Sequence, residues 1–248
     1  MNLPLEDKVA LVTGGAVRIG RAIALDLARA GCDVVIHYRH SHEEAMALAE
    51  EIQSLGRQSW ALYADFSEED SAENLMRSSW ETAGWIDILV NNAAIYARTP
   101  ATEADASDFS LQWRINALAP MLLVKTFMEC IASSTILPED YCGQVINILD
   151  RRIAATDPGA LPYWLSKKTL EAYTLGAAKE LAPRIAVNAI APGPVIPPNQ
   201  PDTAGEWAGS FPLATQCTPE DIGSAVRYLA TCRCITGQVL FVDSGQHL

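Results

Sequence analysis

Positive charge is scarce in this 248-residue chain: eighteen Lys and Arg stand against thirty Asp and Glu, a formal charge of -12, with a pI near 4.7. Such a surface repels phosphate backbones and anionic bilayers, which excludes nucleic acid or a membrane as the first-choice partner. No apolar run approaches the roughly 18 residues of a membrane span. The opening MNLPLEDKVALVTGG lacks the basic, apolar and small-residue sections of an export signal, so a soluble, cytoplasmic protein is expected. The six cysteines (Cys32, Cys130, Cys142, Cys217, Cys232, Cys234) form no Cys-x-x-Cys pair, which argues against zinc and a disulfide framework and for free thiols. Repeats, low-complexity tracts and interdomain linkers are missing too. Apolar content is not lacking: 49% hydrophobic residues suffice for the large core of a single domain.

Seven short apolar runs read as strands: VALV (9–12), DVVIH (33–37), WALYA (60–64), DILV (87–90), QVINIL (144–149), IAVNAI (185–190) and VLFV (239–242). Amphipathic segments such as RAIALDLARAG and SKKTLEAYTLGAAKELAP lie between them, several closed by Gly or Pro. This alternation predicts one doubly wound α/β domain of the Rossmann kind, a seven-stranded, mainly parallel sheet with helices on both faces. Residues 192–212 break the pattern with six of the fourteen prolines. A loop of this length leaving the carboxyl edge of a strand reads as a substrate lid, with Trp207 as its candidate cover.

The first strand runs into TGGAVRIG, Thr13 to Gly20, and then into a helix. Small residues there permit a tight turn, and a helix start offers amides and positive dipole to a phosphate, which singles out Gly14, Arg18 and Ile19. Gly15 and Gly20 have P-loop spacing, but Arg21 and Ala22 stand where Lys and Ser or Thr are required. The second strand ends in HYRHS, where an NAD site would carry an acid for the ribose 2′-hydroxyl. His37, Tyr38, Arg39, His40 and Ser41 suit a 2′-phosphate instead, with Arg18 as a further guanidinium. Imidazoles at 37, 40 and 42 with no nearby Cys make a poor metal site.

Together with Asp65, Asn91 and Asn92 in VNNAA, Asn116 in RINALAP, the Tyr163 and Lys167 pair, NAIAPGP from 188 and ITGQVLFVDSG near the end, these pieces resemble the short-chain dehydrogenase/reductase family over essentially the whole chain. A Tyr-x-x-x-Lys pair is expected only about 0.14 times by chance. At i and i+4 the two side chains share a helix face, so Lys167 is expected to lower the phenol pKa of Tyr163 and to reach the nicotinamide ribose. The resemblance implies that Asp65 and Phe66 border the adenine, that Asn92 and Ala93 line the cofactor cleft, and that Pro192, Gly193 and Val195 frame the nicotinamide. It also implies a homotetramer.

Thirteen residues before Tyr163, where carbonyl-reducing members carry Ser, stands Asp150. An ionised carboxylate only accepts hydrogen bonds; it repels a carbonyl oxygen gaining charge and suits the N–H groups of a heterocycle. Asp150, Arg18, HYRHS and Tyr96 make the chain similar to the pteridine reductases and dihydromonapterin reductases. That resemblance implies a planar pterin held between Tyr96 and the nicotinamide, with Arg18, Tyr96, Asp150, Tyr163 and Trp207 around the substrate and Asp150, Tyr163, Lys167 and Asn116 as the catalytic set. The expectation is NADPH-dependent reduction of a pterin C=N bond. The alternatives are a carbonyl or alcohol oxidoreductase in which Asp150 is incidental, and a protein that binds NADPH without turnover. Arg151 and Arg152 follow Asp150 directly, and a guanidinium turned inward would pair with it.

Overall fold

The computed structural model describes residues 3–156, 159–195 and 211–248. Seven strands, β1 (Val9–Val12), β2 (Asp33–Tyr38), β3 (Ser59–Tyr63), β4 (Ile88–Asn91), β5 (Gly143–Ile148), β6 (Ile185–Pro192) and β7 (Val239–Val242), form one sheet. Their order is β3-β2-β1-β4-β5-β6-β7. Every neighbouring pair runs parallel, so the mainly parallel sheet of the sequence reading is wholly parallel. Among the described residues seven α-helices accompany it: α1 (Arg18–Arg29), α2 (His42–Ser54), α3 (Ser71–Ala83), α4 (Ala106–Trp113), α5 (Ala119–Ser133), α6 (Leu161–Glu180) and α7 (Pro219–Thr231).

The strands read as continuous apolar runs because both faces of the sheet are covered. In β1, Ala10 and Val12 join a core with Ile23, Leu27, Leu48 and Ile222 from α1, α2 and α7. Val9 and Leu11 join the opposite core with Met76, Leu123, Phe127 and Ala177 from α3, α5 and α6. A π-helical turn, Arg114–Leu118, joins α4 to α5. By length and composition the resulting helix, Ala106–Ser133, would pass for a membrane span, contrary to the sequence expectation; it is mostly buried, as a core helix is.

The chain winds outward from β1 to β3 and then crosses back to place β4 on the other side of β1. At this reversal the loops leaving β1 and β4 diverge and open a crevice at the carboxyl edge. Of the expected lid only residues 192–195 and 211–212 are described; Trp207 lies outside the described residues.

Candidate active site

A cleft of about 690 Å³ occupies that crevice. Its floor is the turn between β1 and α1. Gly14 has φ +59°, and a Cβ on Gly20 would lie 2.1 Å from the Gly14 carbonyl oxygen, so glycine is required at both positions. Two residues fasten this turn to β4. The Thr13 hydroxyl accepts from the amides of Asn92 (2.9 Å) and Ala93 (3.0 Å), and Asn92 Nδ2 donates to the carbonyls of Thr13 (2.8 Å) and Gly14 (3.1 Å). Thr13 had no assigned role in the sequence reading; its signal is a hydroxyl at the end of an apolar strand. Val17 caps α1 without a side-chain hydrogen bond, leaving the first amides of the helix to the cleft that Arg18 and Ile19 line. Arg18 has φ 55°, a left-handed conformation in which a non-glycine residue is strained.

His37, expected to help bind a 2′-phosphate, supplies no charge. Its Nδ1 accepts from the Gly14 amide (3.0 Å), so Nε2 carries the proton and donates to the Ala64 carbonyl (3.1 Å). Burial lowers its pKa to about 4, and Phe66 stacks on the ring at 4.6 Å. His37 is a neutral strut between the glycine turn and the end of β3. Arg39 donates from Nε to His40 Nε2 (2.8 Å), and its guanidinium lies 3.7 Å from Asp65. Asp65 stays outside the cleft lining. Its burial favours the neutral acid, but bonds from the Ser67 amide and hydroxyl, with Arg39 nearby, hold its pKa below the usual value. Tyr38 lines the cleft while its hydroxyl pairs with His42 (2.8 Å). The Ser41 side chain does not cap α2.

Opposite this phosphate end, Asp150, Tyr163, Lys167 and Tyr96 converge. The Tyr163 hydroxyl donates to Asp150 Oδ2 at 2.9 Å. Burial, and then the Asp150 carboxylate, push the Tyr163 phenol well above its ordinary pKa, with only Arg152 pulling the other way. The expected lowering by Lys167 is therefore overturned. Burial draws the Lys167 ammonium down to about 8 against the opposing pull of Asp150, and its Nζ donates to the Ile148 carbonyl (2.8 Å). Arg152 does turn inward: its guanidinium lies 3.6 Å from Asp150 and 5.1 Å from the Tyr96 ring centre. Tyr96 meets Tyr163 edge to face at 4.9 Å.

Asn116, expected in the catalytic set, is fully buried and lies below the cleft. Its Oδ1 accepts from the Ile95 amide (2.8 Å) and its Nδ2 donates to the Ile95 carbonyl (2.9 Å), with Ser166 Oγ at 3.1 Å. It is a positioning residue that ties the Tyr96 loop to α6. Ser166, unassigned from sequence, also donates to the Tyr163 carbonyl (2.6 Å); its place three residues after Tyr163 is the signal. Ala93, Pro192, Gly193 and Val195 complete the wall.

A protein-family model described as enoyl-(acyl carrier protein) reductase matches residues 15–247. The chain is 34% identical over 97% of both lengths to a 3-oxoacyl-[acyl-carrier-protein] reductase of Synechocystis sp.. It is 32% identical to a hydroxynaphthalene reductase of Aspergillus fumigatus over 92% of this chain and 88% of the relative. Among solved structures, FolM alternative dihydrofolate reductase 1 from Brucella canis, complexed with NADP, superposes with a TM-score of 0.91 at 35% identity over 100% of this chain and 96% of that one. With its parallel sheet, glycine turn and Tyr163–Lys167 pair, the chain belongs to the short-chain dehydrogenase/reductase family and is a short-chain oxidoreductase.

Proposed function

We propose that this protein is an NADPH-dependent reductase of a pterin C=N bond, acting on a dihydropteridine, dihydromonapterin or dihydrofolate. The observation that carries the reading is Asp150: a carboxylate hydrogen-bonded to the Tyr163 hydroxyl at 2.9 Å stands where ketone reduction needs a donor. A carboxylate accepts from the N–H edge of an aminopyrimidine ring, and the half-exposed Tyr96 offers a face on which a flat ring stacks. The Brucella neighbour with 35% identity is named for reduction of dihydrofolate, whose ring is of this type.

The cofactor end of the cleft fits a dinucleotide. The glycine turn has no room for a side chain at Gly20, the first amides of α1 suit a pyrophosphate, and Arg18, Arg39, His40 and Ser41 suit a 2′-phosphate. NADPH supplies the hydride that reduces the ring carbon. The protein's own contribution is to orient the ring and manage the proton for the adjacent nitrogen. Tyr163, kept protonated by burial and by Asp150, stores that proton at its phenol oxygen. Asp150 relays it, and the Lys167 ammonium, one helical turn away, stands behind as the reserve.

Asp150→Ser is expected to lower kcat/KM with 7,8-dihydrobiopterin by about 100-fold or more, the scale of a lost acid–base group. Turnover with this dihydropterin at the wild-type rate overturns the assignment. A gain of activity on a 3-oxoacyl thioester in the same variant would support a ketone-reducing ancestry, in keeping with the 34% identical Synechocystis relative. The reading also places the protein in a reducing cytoplasm, in keeping with six free cysteines, and in a homotetramer, for which the exposed Leu111, Trp113, Leu165 and Leu175 on α4 and α6 provide apolar contact surface.

A further inference from the structure

A second cavity, about 430 Å³, opens beside the cleft and shares Tyr96 and Arg152 with it. Arg98, Arg151 and Arg152 line it, and among the described residues no Asp or Glu side chain does. Arg152 is engaged with Asp150 and the Tyr96 ring. Among the described residues, Arg98 and Arg151 have no acidic side chain within 4.0 Å. In the same wall His247 stacks on Phe241 at 4.0 Å and pairs with Asp243 at 3.0 Å.

Three guanidinium groups gathered beside the reacting centre are conspicuous in a chain of net charge -12. Together they form a receptor for an oxyanion, which guanidinium groups bind in a bidentate way. We propose that this cavity holds the anionic tail of the substrate, a carboxylate-bearing or phosphate-bearing substituent that leaves the ring past Tyr96 and ends between Arg98 and Arg151. The inference rests on the pterin reading and narrows it: the preferred substrate is a pterin with an extended acidic side chain rather than a bare or alkyl-substituted ring.

The test compares three substrates on one ring: 6-methyl-7,8-dihydropterin with no tail, 7,8-dihydrofolate with a carboxylate tail, and 7,8-dihydroneopterin monophosphate with a phosphate. In wild type, at least one tailed substrate is expected to exceed the tailless one about tenfold in kcat/KM, through KM, and to lose that advantage as salt rises. The higher of the two tailed arms identifies the tail. In the Arg98→Ala/Arg151→Ala variant the ratio of tailed to tailless kcat/KM is expected to fall about tenfold, and Arg98→Lys/Arg151→Lys should recover part of it. The single variants Arg98→Gln and Arg151→Gln give the same readout if the double variant does not fold. Turnover of all three rings with no tail preference, or a ratio unchanged by the variants, overturns the tail site and leaves the ring reading standing. Failure to reduce any of the three overturns both.

Discussion

His37 shows how one side chain changes role with its surroundings. Two residues before Arg39 it looks like part of a basic patch, yet it is buried, neutral and bonded at both ring nitrogens. Strand parity held the clue: in β2, Val34, Ile36 and Tyr38 pack toward one core and Val35 toward the other, so His37 shares the buried face of Val35. The consequence is a pH effect with a definite sign. The folded pKa, about 4, lies below the ordinary 6.5. The unfolded chain therefore binds the proton first, and His37 stabilises the fold fully above pH 6.5 and progressively less as pH falls toward about 4. At about pH 5 the loss is about 2 kcal/mol. Urea unfolding at neutral pH and near pH 5 should show a steeper decline for wild type than for His37→Asn; equal declines would refute the strut. The Tyr163 phenol resisted sequence reading for a related reason. Its upward shift depends on burial and on a carboxylate thirteen residues away, neither of which the Tyr-x-x-x-Lys spacing reports.

Among the elements, α1 was the most legible. Its glycine turn, its start and its apolar face are all in TGGAVRIG and the residues that follow. What the pattern did not reveal is that Arg18 opens the helix with φ 55°. Arg18→Gly removes a left-handed strain of about 1–3 kcal/mol but adds chain entropy on unfolding of about 0.5–1 kcal/mol. The variant should therefore melt about 2–4 °C higher while binding NADPH more weakly, as a thermal melt and a cofactor titration would show. A lower melting temperature would mean that the Arg18 side chain stabilises the fold rather than serving the ligand. The α4–α5 join was beyond sequence reading. Nothing in RINALAP marks a π turn, and that turn delivers Asn116 to the Ile95 backbone.

For the whole molecule, strand number, strand order type and the position of the cleft followed from apolar runs and βα alternation, because a sheet buried on both faces leaves few other solutions. Charge balance was legible in total but not in place: Arg18, Arg39 and Arg152 line the cleft, while Arg98 and Arg151 join Arg152 in the wall of the neighbouring cavity. Assembly is a prediction at this scale. Light scattering at micromolar concentration should give the mass of four 26.8 kDa chains; a monomer mass would leave the exposed leucines and Trp113 without a partner. The strand order has one more consequence. The contacts from the glycine turn through His37 to Ala64 and Phe66 lie within residues 13–66, Asn92 and Ala93 add the ties from β4, and Tyr96, Arg98, Asp150 and Tyr163 come later in the chain. On the proposed reading, a crossover between codons 93 and 96 would exchange the glycine turn together with its ties to β4 and leave Tyr96, Arg98, Asp150 and Tyr163 unchanged.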